Sequence, residues 1–264
     1  PYIEKARQGQ PDVFWPGYIR KFAKSSGTTN AKSKFIPISE ESLEDCHFKA
    51  GKDLLSIYAN NHPENSLFSN KNLRLGGSSE LYEDFNTKFG DLSAIMIENL
   101  PFWVEITTTP SKKVSLMSEW ESKLKAIVSE VKNEDVGSMT GVPSWMMVLL
   151  QRTLADTGKE TIAQIWPNLE VFFHGGISFK PYRDQYRKII GKDINYYEIY
   201  NASEGFFAIQ DQPGSDEMLL MLDYGIFYEF IPMDAFDPDN LQAIPLEEVE
   251  IVKNYALVIT TNSG

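Results

Sequence analysis

Hydrophobic and polar positions over residues 118–205 alternate between two periods. Trp120, Leu124, Ile127, Val128 and Val131 recur at helical spacing, which predicts an amphipathic helix. Ser118 with Glu121 fits a capping box at its start. Apolar runs then predict short strands at 136–140, 169–173 and 195–200, with helices over 144–155 and 181–190 between them. Helix and strand taking turns is the pattern of a parallel sheet covered by helices. Upstream, a short helix and a turn around Pro11 and Pro16 fill residues 1–24, and a strand covers 35–38. Ser39 then caps a helix running to about Asn60, with Glu40 and Glu41 in its first turn and Ile38 set to pack on Leu43. Leu73-Arg74-Leu75 forms a strand entering the Gly76-Gly77 turn. From Phe206 on, the runs 218–223 and 226–232 flank Tyr224-Gly225 and predict an antiparallel meander.

The predicted fold class is therefore α/β, a parallel sheet flanked by helices plus an antiparallel β-meander. Residues 1–205 form the α/β core and 206–264 a β-rich subdomain. The chain starts at Pro1 and stops at Gly264, directly after the apolar run 255–261. A strand without flanking elements leaves its faces uncovered, so the expectation is a chain truncated at both ends.

A net charge of −12 repels nucleic-acid phosphate and anionic lipid. Neither nucleic acid nor membrane is an expected partner, and no apolar run has the roughly 20 residues that span a bilayer. The single cysteine, Cys46, permits no internal disulfide and no cysteine-based metal site. A cytoplasmic location is the expectation. Oligomeric state leaves no mark in the sequence.

Several segments carry candidate chemistry. Ser25-Ser26-Gly27-Thr28-Thr29, followed by Lys32 and Lys34, combines hydroxyl donors, a backbone without Cβ and a cation, which is what a triphosphate needs. It is equally a solvated Ser/Thr turn, and the P-loop pattern is absent. Tyr200-Asn201-Ala202-Ser203-Glu204-Gly205 follows a predicted strand. Ligands of open parallel sheets bind beyond such strand ends, and Glu204 is a carboxylate suited to magnesium; a turn with a solvated Glu also fits. Phe172-Phe173-His174-Gly175-Gly176 ends another strand, where two glycines admit a flat purine or simply make a tight turn. Gly141-Val142-Pro143-Ser144-Trp145 opens a helix, with Trp145, Met146 and Met147 available either to an apolar acyl pocket or to the core.

In this order, these segments resemble the adenylate-forming superfamily of acyl-CoA synthetases and luciferases. Their wording is closer to the auxin-responsive (Gretchen Hagen three) acyl acid–amido synthetase family, bacterial type. Trp15-Pro16-Gly17 and the run 254–261 extend the likeness over nearly the whole chain. The resemblance implies an adenylation domain that binds ATP and magnesium, activates a carboxylic acid as an acyl-adenylate and passes the acyl group to an amine such as an amino acid. It implies that Ser25, Ser26, Gly27, Thr28 and Thr29 cradle phosphates. Gly175, Gly176, Tyr200, Asn201, Ala202 and Ser203 would border the nucleotide, and Glu204 would bind magnesium. Lys34 and Glu204 are the catalytic candidates, and Val142 and Trp145 flank the acyl pocket. Two departures stand out: Asn30 occupies a position where the superfamily loop has Gly, and Lys34 is displaced. The ribose-binding Asp and the mobile C-terminal domain of the family lie beyond Gly264. The alternative is a nucleotide-binding regulatory protein on the same scaffold, without turnover.

Overall fold

The computed structural model describes residues 2–25, 34–76, 81–84 and 86–263. Its strands are β1 (Lys21–Ser25), β2 (Lys34–Ile38), β3 (Lys71–Leu75), β4 (Tyr82–Asp84), β5 (Thr87–Gly90), β6 (Thr108–Thr109) and β7 (Val136–Gly141) in the first half. There follow β8 (Val171–Gly175), β9 (Asn195–Ala202), β10 (Gly205–Ile209), β11 (Leu219–Leu220), β12 (Ile226–Pro232), β13 (Ile244–Pro245) and β14 (Tyr255–Thr261). The α-helices are α1 (Tyr2–Arg7), α2 (Lys49–Asn61), α3 (Leu92–Glu98), α4 (Phe102–Thr107), α5 (Lys112–Ser115), α6 (Trp120–Val131), α7 (Pro143–Thr157) and α8 (Arg183–Ile190).

A seven-stranded sheet in the order β11-β10-β9-β8-β7-β3-β6 is the centre of the molecule. The run from β9 to β6 is parallel, as the alternation of helix and strand requires, because a parallel neighbour needs a crossover element. β10 turns back antiparallel on β9, and β11 on β10. Side chains alternate across the sheet with period two. Leu73, Leu75, Met139 and Phe172 pack under α6 and α7. Val171, Phe173 and Tyr197 enter a second core with Leu54 and Tyr58 of α2. The predicted stripe of α6 holds, with Leu124, Ile127, Val128 and Val131 all buried. Trp166 is fully buried in the first core and donates from Nε1 to the Val131 carbonyl at 3.0 Å.

Two smaller sheets flank this one, in the orders β2-β1-β5-β4 and β13-β12-β14. The runs 218–223 and 226–232 were expected to pair as a meander. They do not: β11 pairs with β10, whereas β12 pairs along its whole length with β14. Tyr224 lies fully buried between them and its hydroxyl donates to Asp53 at 2.9 Å, so the connection is anchored inward instead of closing a hairpin.

Two local expectations change. The helix expected from Ser39 opens as a π-helical turn over Ser42–Phe48 and only then becomes α2. Ser39 does cap it, its Oγ accepting from the Ser42 N–H at 2.9 Å, and Ile38 and Leu43 share one cluster. Single π turns are rare and gather at functional sites. The second change is at α6, where Glu119 and not Ser118 is the cap. Its carboxylate accepts from the Glu121 and Ser122 N–H groups at 3.0 and 2.7 Å, two donors that a helix start leaves free.

Candidate active site at the carboxyl ends of the strands

The parallel strands β7, β8 and β9 end side by side, and three glycines allow the approach. A Cβ on Gly175 would stand 2.5 Å from the Ile199 carbonyl oxygen and 3.4 Å from Asn201 Oδ1. One on Gly141 would stand 3.1 Å from the Leu75 carbonyl oxygen. Gly176 has φ +83°, with Val142 Cγ2 3.4 Å from its Cβ position. Val142, Gly175, Gly176 and Asn201 therefore meet at one edge, beyond the carboxyl ends of the sheet, where open α/β folds bind ligands. Ala202 pairs with Gly205 and closes the turn that holds Ser203 and Glu204. Tyr200 is 47% exposed and packs on Phe207, ring centroids 4.9 Å apart.

Ser26, Gly27, Thr28 and Thr29 lie outside the described residues. Their flanks are described: Ser25 pairs with Lys34 as the last rung of the β1–β2 hairpin, and Lys34 is exposed. The chain leaving that hairpin is tied to the Glu204 turn in two ways. Ser39 donates from N–H to Ser263 Oγ and from Oγ to the Asn262 carbonyl, both at 3.0 Å. Asn262 in turn lies against Gly225, and Ile226 against Gly205. In addition, the Phe206 N–H donates to Cys46 Sγ at 3.2 Å, joining the π turn to β10.

Trp145 stands apart from this edge. It is 52% exposed and sits edge-on to Trp120 at 4.9 Å, on the α6–α7 side of the sheet.

On the α2 side, alongside the same strands, lies a cavity of about 200 Å³ with largely apolar walls from Leu55, Met96, Leu100 and Val104. Its sheet-side lining includes polar residues: Asn72 Nδ2 donates to Ser138 Oγ at 2.9 Å and to Thr140 Oγ1 at 3.1 Å. Arg74 and the buried His47 line it too. None of these five residues was singled out from the sequence. The available signal was the alternation Asn72-Leu73-Arg74-Leu75 in a strand that is otherwise interior.

His47 and His174 are both buried with a ring nitrogen lacking a hydrogen-bond partner among the described residues, Nε2 and Nδ1 respectively. Burial holds each imidazole down at about 4, and the Arg183 charge adds to the effect at His174. The unfolded chain protonates near 6.5 and the folded one only near 4, so proton uptake favours unfolding between those values. The stability is fully present above about pH 6.5 and is lost as pH falls toward 4. Urea midpoints at pH 7 and 4.5 should therefore differ less in His174→Phe than in the parent; equal differences would remove this account of His174.

Among the described residues, no group of three or more His, Cys, Asp or Glu is gathered for a metal, and no helix is long and apolar enough to cross a membrane.

The GH3 family N-terminal domain matches residues 1–194, and the GH3 family central domain matches 219–264. The chain belongs to the GH3 family. Its fold is shared with AtGH3.15 acyl acid amido synthetase solved in complex with 2,4-DB, at TM-score 0.78 and 15% identity, covering 100% of this chain and 55% of that one. It is also shared with an open conformation of 2-hydroxyisobutyryl-CoA ligase in complex with 2-HIB-AMP and CoA, at TM-score 0.52 and 12% identity, covering 96% and 49%. This GH3 chain thus spans about half the length of the solved proteins it resembles. No curated protein sequence matches it.

Proposed function

We propose that this GH3 chain is the nucleotide- and acid-binding part of an adenylate-forming ligase that joins a carboxylic acid to an amine. The observation that carries the reading is the strand-end edge formed by Val142, Gly175, Gly176 and Asn201, with a partly open, largely apolar cavity alongside the same strands. The edge offers backbone without side-chain cover to a flat base, and the cavity offers largely apolar walls to the body of an acid. A solved relative named as an acyl acid amido synthetase and a CoA ligase holding an acyl-AMP support the same chemistry.

A carboxylate is a poor acyl donor, because oxide would have to leave. Attack of its oxygen on the α-phosphorus of ATP forms a mixed anhydride and breaks the bond to the β-phosphate oxygen, releasing pyrophosphate. An amine then attacks the acyl carbon, AMP leaves with the bonding pair, and the nitrogen loses a proton. No protein nucleophile is needed; positioning and cation stabilisation do the work. Ser25, Ser26, Gly27, Thr28 and Thr29 are assigned to the phosphates, and Lys34 to their charge. Tyr200, Asn201, Ala202 and Ser203 border the nucleotide. Glu204 is the residue assigned to magnesium, which needs only one or two protein carboxylates when phosphates complete its shell and would neutralise charge on them. Val142 remains assigned to the acyl pocket; Trp145, which packs on Trp120 on the α6–α7 side of the sheet, is not retained in that role.

The test is ATP–pyrophosphate exchange on the intact protein with a panel of aryl, indole and aliphatic acids. Exchange that requires an added acid is the expected result. ATP binding without exchange under every acid would favour a regulatory protein on this scaffold.

A further inference from the structure

The cavity beside α2 is unusual in its charge. The chain carries −12 overall, yet among the described residues the side chains lining this space include Lys52 and Arg74 and no Asp or Glu. Arg74 Nε is buried and has no hydrogen-bond partner among the described residues. His47 is 2% exposed and its Nε2 likewise has none. A buried polar group left unpaired costs stability, and a buried guanidinium costs more. Burial disfavours the Arg74 charge, and Glu105 nearby offsets part of that penalty without lining the cavity. Apolar walls would be served as well by Leu or Met at position 74. A hydrocarbon ligand would leave Arg74 and His47 as unsatisfied as an empty cavity does, whereas an oxyanion would accept from Arg74, and from His47 in the tautomer that carries its proton on Nε2.

We propose that the acid taken by this chain is a dicarboxylate, one carboxylate held at Arg74 while the other is activated. The reading rests on the acid-activating function above and narrows its substrate. The register supports the span. Arg74 lies beside Thr140 in the β3–β7 ladder, two residues short of Val142, or about 7 Å along a strand. A short aliphatic or aryl diacid bridges that separation, with its body against Leu55, Met96 and Val104. Arg suits the role because its planar fork pairs with both oxygens of a carboxylate. Arg74 is in this sense a specificity-determining residue, and His47 a second donor or acceptor beside it.

The experiment compares matched acids, adipate with hexanoate and 4-carboxyphenylacetate with 4-methylphenylacetate, in pyrophosphate exchange on the intact protein and on Arg74→Met. Arg74→Met keeps the length and removes a half-buried charge, so its folding should hold. The expected result is kcat/KM at least tenfold higher for each diacid in the parent, with the preference reversed in Arg74→Met. Equal or better use of the monoacids by the parent, with the ratio unmoved by Arg74→Met, overturns the proposal while leaving the ligase function intact. Should no acid support exchange, that function fails. The proposal is then read from direct titration of the same acids without ATP, followed by fluorescence of Trp103 at the cavity wall. Diacid binding lost in Arg74→Met supports it, and diacid binding that is absent, or equal in the two proteins, overturns it.

Discussion

Replacing Glu204 by Ala in the intact protein should lower acid-dependent pyrophosphate exchange by about two to three orders of magnitude, the usual loss when one preorganised charge-stabilising group is removed. The turn that carries it is short: Ala202 pairs with Gly205, leaving Ser203 and Glu204 to make the reversal. Glu204 is half-buried and forms no salt bridge among the described residues, so its carboxylate is not committed to a structural partner. Its removal leaves the β9–β10 ladder and the Cys46–Phe206 contact in place. The melting temperature should accordingly stay within a degree or two. Normal exchange by Glu204→Ala would withdraw both the metal-binding and the catalytic assignment of this residue. Equal losses of exchange and thermal stability would instead make it a structural turn residue.

The largest effect on stability is expected at Trp166. Trp166→Ala should destabilise the chain by about 3–5 kcal/mol, the range for deleting a buried large aromatic. Trp166 is fully buried in the core shared by α6, α7 and the central sheet. Its Nε1 also donates to the Val131 carbonyl at the end of α6, which accepts from the Glu134 N–H as well, at 3.2 Å. The substitution therefore leaves a void and removes one of the two donors to that carbonyl. Trp166→Phe retains most of the volume and should lose less, so the gap between the two variants in urea denaturation separates packing from the hydrogen bond. A loss under about 1 kcal/mol for Trp166→Ala would mean that this core is far looser than described.

The central sheet was legible in the sequence because its signals are long and mutually consistent. The α6 stripe, the apolar β8 run and the Gly-Val-Pro entry to α7 each combine a period with a boundary. Pro143 occupies the first turn of α7, where its missing N–H costs nothing. The stretch from Tyr82 to Ser115 gave no such pattern. Its elements are short, and α4 exposes Phe102, Trp103 and Ile106 without burying a single residue, so no periodicity marks it. The π turn was invisible because the 3.6-residue period used to read a helix assumes the bonding that this turn departs from.

Candidate site residues divide along the same line. Gly175, Gly176 and Asn201 stand out in the sequence because strand-end glycines and turns leave local marks, and the fold brings them together with Val142. The cavity was not found, because its lining is assembled from α2, β3, α4 and β7, distant in sequence. Trp145 reads two ways in the sequence because an aromatic at the start of α7 has two faces open to it. Pairing with Trp120 holds it away from the strand ends.

The outermost strands of the seven-stranded sheet, β11 and β6, contain two residues each, and Pro110 follows β6 immediately. A two-residue border offers almost no row of free amides and carbonyls on which a strand from another molecule could grow. Stacking of copies through this sheet is thus denied a template at either margin. Among the described residues, the longer free edges belong to the flanking sheets, at β2 and β14, so growth by strand addition would start there.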